Sequence, residues 1–272
     1  MNADSSPRPA LPKLTPAERA LILVLVAIHF THLVDFVIIM PLGKRLMEEL
    51  AITSVEFAAV VSVYAIAAGA ASFLGSLVMD RFDRRSVLLA MYGGFTVSTL
   101  LCGLAPTYEW LLVARTLAGV FGGLAAVTIM AVIGDVFPHE KRGRATGAIT
   151  SAFAVASIVG LPIGLVLADQ YGRGAPFIVL AALCAIVWIV AMFRLPQVRG
   201  HLEHTRRSAI KELRAVLAEP NHQRAFVFSF FMTLGTFSVG SFMAPFLATT
   251  NGWSESEVAK LYFAGGCAHS SG

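Results

Sequence analysis

Four ionisable side chains lie inside long apolar stretches of this sequence, where charge is otherwise absent. Asp35 and Arg115 carry the two formal charges in those stretches, and His29 and His32 precede Asp35 at intervals of three residues. On a helix this spacing places both imidazoles and the carboxylate on one face. Histidines beside a carboxylate can take up protons and pass them on. This face therefore predicts proton transfer within an apolar medium.

Seven apolar stretches must position these residues. Each contains between 19 and 24 residues, and about 20 apolar helical residues cross a hydrocarbon core of roughly 30 Å. The stretches do not alternate apolar and polar residues as membrane β-strands do, and a helix satisfies its own backbone groups in lipid. We therefore predict seven membrane-spanning helices, at residues 21–40, 57–79, 87–105, 110–133, 145–168, 175–193 and 225–248.

The composition agrees with an all-α polytopic membrane protein of the helical-bundle type. The chain of 272 residues is 56% hydrophobic and only 14% charged, whereas soluble domains average about 25% charged residues. The same composition argues against intrinsic disorder and against a nucleic-acid partner, although the formal net charge is +4. The partner that the sequence predicts is the lipid bilayer.

The distribution of Lys and Arg predicts the orientation. With a cytoplasmic N-terminus, 16 of the 21 basic residues fall in inner segments and four in outer segments, which is the asymmetry that the positive-inside rule describes. We expect a multi-pass protein of the bacterial inner membrane. Its parts would be a cytoplasmic tail (1–20), a six-helix half (21–193), a basic cytoplasmic linker with an amphipathic helix (194–224), and the start of a second half (225–272).

The last of these parts is expected to hold the seventh span and an incomplete eighth. The apolar run at 261–268 has eight residues and a polar tail follows it. Eight helical residues are too few to cross a bilayer. We interpret this run as an eighth span that has been truncated.

A weak internal repeat divides the six-helix half in two. Residues 80–84 (DRFDR) resemble residues 169–173 (DQYGR) at an offset of 89, and the same offset carries the first span onto the fourth. The two copies, about 21–105 and 110–193, contain three spans each, so they enter the membrane in opposite directions. Inverted repeats are typical of secondary transporters.

Asp35 and Arg115 are expected to lie at the same depth in the membrane. Each is five residues inside the outer end of its span, which is about 7–8 Å at ~1.5 Å per residue. Charges in the bilayer core usually pair or face a cavity, so equal depth makes an ion pair possible. We predict that Asp35, Arg115 and His32 take part in proton and substrate coupling. The alternative is a structural tie between two helices.

Small residues in the fourth and fifth spans indicate close helix packing. Gly160 and Gly164 belong to a stripe of small residues at every fourth position, and Gly119 begins a glycine cluster in the fourth span. Small residues let helix backbones approach each other closely. Pro162 removes a backbone donor between the two glycines. We therefore expect either a hinge at this point or tight packing without motion.

Two short motifs resemble signatures of the major facilitator superfamily. The loop from Ser76 to Arg85 resembles the pattern G-x-x-x-D-R-x-G-R-R, although Ser76 and Asp83 stand where the pattern has glycines. The segment from Arg115 to Gly119 looks like the signature of that superfamily's fourth span. Together with the overall layout, these motifs predict the major-facilitator type of helical bundle.

Two further stretches resemble a subfamily. Residues 160–164 are similar to the antiporter signature of the fifth span, with Gly and Pro one residue further apart than usual. Residues 35–43 are similar to the same region of proton-coupled drug and sugar efflux permeases of the arabinose type. The resemblance implies a twelve-span transporter whose halves alternate between inward-open and outward-open states.

The resemblance also implies roles for individual residues. It implies a proton site at Asp35 and a coupling role for Arg115. It further implies a conformational latch in which the basic loop after the second span stabilises the outward-open state against the opposite half, with an acidic residue at the inner end of the fourth span as a partner of that loop. The latch residues would be Asp80, Arg81, Arg84, Arg85 and Asp135.

We predict a secondary active transporter that exports small organic molecules, such as drugs or sugars, in exchange for protons. We expect a transporter rather than an enzyme, without cofactor or metal, because the sequence has neither metal-ligand spacing nor a phosphate-binding loop for ATP. The alternatives are uptake by proton symport and a truncated fragment that does not transport. The residues leave the identity of the substrate and the oligomeric state open.

Overall fold

The computed structural model describes residues 14–198 and 215–250, which are mostly helical. A 3-10 turn (Met79–Arg81) and a π-helical segment (Ala156–Gly160) interrupt the α-helices. The α-helices are α1 (Pro16–Ile38), α2 (Gly43–Leu50), α3 (Ser54–Val78), α4 (Arg84–Gly103), α5 (Tyr108–Val136), α6 (His139–Thr150), α7 (Ala152–Val155), α8 (Leu161–Tyr171), α9 (Ala175–Arg194) and α10 (Pro220–Thr250).

Six segments within the described residues are long and apolar enough to cross a membrane. They are α1, α3, α4, α5, the combined segment His139–Tyr171 and α9. These segments coincide with the first six predicted spans, so the prediction of an all-α polytopic bundle is confirmed. Helix α10 covers the predicted seventh span. The predicted linker helix lies mostly, and the eighth span entirely, outside the described residues.

Side-chain caps determine where several spans begin. Thr15 and Glu18 form a capping box at the start of α1, and Thr53 and Glu56 form another at the start of α3. The carboxylate of Asp83 accepts a hydrogen bond from the first turn of α4. Each cap supplies a partner for a backbone N–H that the first turn of a helix leaves unsatisfied. The polar residues that precede these apolar stretches therefore also mark where the helices begin.

The fifth span is longer than the predicted 145–168, and its helix is irregular before Pro162. It begins at His139, and between α7 and α8 its backbone changes to π geometry, in which the N–H of Leu161 donates to the carbonyl of Ala156. The change falls immediately before Pro162. Because proline has no N–H and its ring crowds the carbonyl four residues earlier, a regular α-helix cannot continue there without adjustment. The wider π turn provides that adjustment.

The first spans of the two predicted repeats, α1 and α5, are exchanged, because each packs against spans of the other repeat. Helix α5 packs against α3 and α4, whereas α1 packs against α6–α8 and α9. The first span of each predicted repeat therefore contacts the second and third spans of the other copy. This packing has the symmetry that the predicted inverted repeat implies, and it brings the outer part of α1, at Asp35, close to the outer part of α5, at Arg115.

Ion pairs join the part of the chain before α5 to α5 and the part after it, at several depths. Their N–O distances lie between 2.8 and 3.1 Å. Two lie toward the predicted cytoplasmic end, one lies within the membrane, and two lie toward the predicted outer end. In that order they are Glu18–Lys141, Arg84–Asp135, Asp35–Arg115, Arg45–Asp169 and Glu49–Arg173.

Gly119 provides a test of the close contact between α5 and α3. A Cβ atom at Gly119 would collide with the backbone carbonyl of Tyr64, whereas a Cβ atom at Gly134, on the same helix, would meet open space. We expect Gly119→Ala to lower the free energy of unfolding by about 1–3 kcal/mol, since the backbones must move apart. Gly134→Ala should raise it by up to about 1 kcal/mol through helix propensity. Unfolding in detergent micelles measures both, and equal stabilities would contradict the prediction.

Candidate functional site

An ion pair between Asp35 and Arg115 lies at the centre of the candidate site. The Nη1 atom of Arg115 is 2.9 Å from Oδ2 of Asp35, and both side chains are fully buried. The same Nη1 also donates to the backbone carbonyl of Asp35 at 3.1 Å. The hydroxyl of Thr99, on α4, donates to Oδ1 of Asp35 at 3.3 Å. The ion pair that equal depth made possible is present, and its role in coupling stays a prediction.

Burial makes this pair sensitive to the charge of either partner. Removing a carboxylate or a guanidinium from water costs several kcal/mol, and the attraction between the two offsets that cost only while both are charged and in contact. A proton on Asp35 would cancel its charge and leave Arg115 without a counter-ion. The pair can therefore link protonation to a rearrangement between α1 and α5.

The ring of Tyr64 packs against the guanidinium of Arg115. The Cζ atom of Arg115 lies 4.2 Å from the centre of the Tyr64 ring, a distance at which the ring attracts the cation. Tyr64 is 2% exposed, and the ring of Phe36 lies 5.5 Å from its ring. The site thus combines one ion pair with an apolar aromatic wall.

The predicted histidine face lies beside this wall. The ring of His32 is 5.9 Å from that of His29, 6.1 Å from that of Tyr64 and 5.6 Å from that of Phe95. Both ring nitrogens of His32 are buried and have no hydrogen-bond partner among the described residues. Buried polar atoms without partners need an explanation, such as a water, an ion or a functional role. Within residues 14–198 and 215–250, no group of three or more His, Cys, Asp or Glu side chains is arranged to hold a metal ion.

The predicted hinge residues pack against α1 next to the ion pair. A Cβ atom at Gly160 would collide with the side chain of Val34, and one at Gly164 would collide with that of Ile38. Both glycines therefore let the fifth span approach α1 closely, as the packing interpretation expects. The π turn at Ala156–Gly160 lies beside this contact. A hinge motion there stays a prediction.

The predicted latch residues have different surroundings. Arg84 is buried, and its Nε atom is 2.9 Å from Oδ2 of Asp135. Arg85 donates from Nη2 to the backbone carbonyl of Met192 at 2.5 Å, and Arg81 is exposed. The side chain of Asp80 lies outside the described residues. Asp135 is thus a partner of the basic loop, and the latch function stays a prediction.

Asp83, which stands where the resemblance has a glycine, attaches the segment after α9 to the same loop. Its Oδ1 accepts a hydrogen bond from the backbone N–H of Val198 at 3.2 Å. The backbone N–H of Arg84 donates to the carbonyl of Val198 at 3.5 Å. The start of the predicted linker (194–224) is therefore held against the predicted latch.

Two members of the site, Tyr64 and Thr99, are not among the residues that the sequence predicts. Both are uncharged polar residues in apolar spans, where such residues usually hydrogen-bond within their own helix. Depth was the available signal, because Tyr64 lies seven residues and Thr99 six residues inside the outer ends of their predicted spans. Those depths are close to the depth of five residues that led to Asp35 and Arg115.

Comparison with known proteins agrees with this architecture. The chain is 28% identical over 214 residues to the "Uncharacterized MFS-type transporter YceJ" of Bacillus subtilis, covering 79% of this chain and 55% of that protein. It is 25% identical over 228 residues to the "Multidrug resistance protein 1" of the same organism, covering 84% of this chain and 58% of that protein. The chain spans a little over half the length of these relatives.

A solved structure and a family model agree on the fold. A crystal structure of a bacterial homolog of the human lysosomal transporter Spinster, in an inward-facing and unoccupied conformation, aligns with a TM-score of 0.73 and 18% identity. That alignment covers 91% of this chain and 59% of the other. The family model described as "Major Facilitator Superfamily" matches residues 25–271. Since this match covers most of the sequence, the chain belongs to the major facilitator superfamily.

Proposed function

We propose that this chain serves proton-coupled export of small organic molecules, an antiport by alternating access. The observation that carries the proposal is the fully buried ion pair between Asp35 and Arg115. An ionisable residue inside a membrane is costly to insert, so it usually marks a pathway or a coupling site. The carboxylate is the group of this pair that can change its charge, because a guanidinium stays protonated in proteins.

Proton uptake by Asp35 supplies the coupling step. A neutral Asp35 no longer attracts Arg115 as an anion does, so the contact between α1 and α5 weakens. These helices are the first spans of the two predicted repeats. In transporters built from inverted repeats, one repeat or bundle rocks against the other about the binding site. Proton release restores the ion pair and returns the helices to the paired arrangement.

The surroundings of the ion pair favour organic compounds with apolar rings. The ring of Phe36 packs on that of Tyr64, and the ring of Phe95 lies 5.6 Å from that of His32. An accessible aromatic ring, such as that of the partly buried Phe36, can bind apolar and cationic groups. The relative named "Multidrug resistance protein 1" supports drugs as the substrate class. Sugars are the second class that the sequence resemblance implies.

Flux in inverted membrane vesicles tests the proposal. With an acidic vesicle interior, we expect ethidium to accumulate inside because protons leave as ethidium enters, and we expect nigericin to abolish the accumulation by collapsing the gradient. Radiolabelled L-arabinose tests the sugar alternative in the same vesicles. Probe movement in the same direction as protons would instead establish symport. The proposal would be contradicted if neither probe accumulated in response to the proton gradient beyond the level in vesicles without the protein.

A further inference from the structure

Tyr64 is an uncharged residue that contacts the ion pair from a third helix. It lies on α3, its ring centre is 4.2 Å from Cζ of Arg115, and the side chain is 2% exposed. The ring of Phe36 lies on it from α1. Its backbone carbonyl lies against Gly119, one turn along α5 from Arg115. Contacts from α1 and α5 therefore fix the position of the Tyr64 ring.

The guanidinium of Arg115 is restrained by few hydrogen bonds. Its Nη1 atom donates both to the carboxylate and to the backbone carbonyl of Asp35. Its Nε and Nη2 atoms have no hydrogen-bond partner among the described residues. Both described hydrogen bonds thus end on one residue, and the first of them depends on the charge of Asp35. The Tyr64 ring is a restraint that does not depend on that charge.

We propose that Tyr64 is a positioning residue for coupling, whose ring holds the guanidinium of Arg115 within reach of Asp35 throughout the proton cycle. When Asp35 takes up a proton, the charge attraction across the pair is lost while the contact between ring and cation remains. The guanidinium therefore stays near the carboxyl group, and the ion pair re-forms when the proton leaves. This inference rests on the proposed proton coupling.

The test separates the ring of Tyr64 from its hydroxyl. Tyr64→Leu removes the ring, and Tyr64→Phe keeps it. In the full chain reconstituted in proteoliposomes, ethidium flux driven by a proton gradient should fall about ten-fold in Tyr64→Leu, in keeping with a desolvated cation–π contact. Ethidium counterflow, which needs no proton gradient, should persist. Tyr64→Phe should retain both activities, because the phenyl ring can still bind the guanidinium.

Tyr92 provides a matched control. It is a buried tyrosine on α4 whose ring stacks on Phe95 and whose hydroxyl pairs with Thr31 at 2.8 Å. Tyr92→Leu removes a ring of the same size from the same bundle, so a general loss of packing would affect it equally. We expect it to leave the ratio of gradient-driven flux to counterflow unchanged. Tyr64→Met replaces Tyr64→Leu if the leucine variant does not fold.

The outcomes distinguish the inference from the function on which it rests. Gradient-driven flux at the wild-type level in Tyr64→Leu, or an equal loss in Tyr64→Phe, would overturn the role of the ring. If Asp35→Asn then still abolished gradient-driven flux, the proposed function would stand without it. A parallel fall of flux and counterflow in Tyr64→Leu and Tyr92→Leu would also overturn the inference, since it would indicate a structural role. A wild-type protein that moves no ethidium in response to the gradient would overturn both.

Discussion

Replacing Asp35 by asparagine is expected to reduce proton-driven ethidium efflux to the background of vesicles without the protein. Asparagine has nearly the size of aspartate and keeps an oxygen that can accept from Thr99 and Arg115, but it cannot take up a proton. Counterflow of ethidium should continue, because exchange of the probe does not require a change of charge at residue 35. Efflux and counterflow, measured in the same vesicle preparation, check the two expectations together.

Asp35→Asn leaves the buried guanidinium of Arg115 without its counter-ion, which lowers the free energy of unfolding, but the variant should still fold and insert. Asparagine resembles the protonated, neutral form of Asp35, and a proton-coupled cycle must pass through that form. Membrane insertion is therefore expected to equal that of the wild type. Asp169→Asn is the control, because Asp169 is a carboxylate in a surface ion pair with Arg45 and is 70% exposed; it should leave efflux intact. Wild-type rates of proton-driven efflux in Asp35→Asn would refute the assignment.

Replacing Arg115 by leucine is expected to have the largest effect on stability. The substitution leaves the Asp35 carboxylate fully buried without its counter-ion, which costs about 3–5 kcal/mol for a buried pair that loses one partner. The loss should appear as unfolding at lower denaturant or temperature in detergent micelles. It should also appear as a smaller fraction of protein inserted in the membrane.

The double variant Asp35→Asn with Arg115→Leu separates charge from packing. Because it removes both charges, it should recover most of the stability that Arg115→Leu loses. Its free energy of unfolding should therefore exceed the value expected from adding the two single effects. Additive effects in the double variant would mean that the two side chains do not interact energetically, despite the 2.9 Å contact between them.

The apolar stretches predict the spans well because the length of a helix in lipid is set by the thickness of the bilayer. They do not predict α2 (Gly43–Leu50), a short helix that is mostly polar. Eight residues with four charges have no membrane signal, and this helix forms between two spans at the predicted outer surface. Pro162 indicates a disturbance in the fifth span, yet the sequence does not distinguish a kink from the π turn at Ala156–Gly160.

Depth in the membrane is predictable from the sequence, whereas rotation about the helix axis is much less so. Counting residues from the ends of the spans places Asp35 and Arg115 level with each other. It does not place the ring of Tyr64 over the guanidinium, because α3 is apolar on all sides and has no polar stripe to indicate which face turns inward. The contacts of Gly119, Gly160 and Gly164 determine these rotations, and they depend on how neighbouring helices fit together.

The ion pairs join the part of the chain that holds the first three spans to the part that holds the next three, and this has a mechanical consequence. They hold the interface between the two sets of spans together at the predicted cytoplasmic end, in the interior and at the predicted outer end. An interface that is held by ion pairs at three levels resists separation at either face, since each separation would pull opposite charges apart. The six spans are therefore expected to stay joined at both faces, so that a proton bound at Asp35 loosens only the contact between α1 and α5 in the interior.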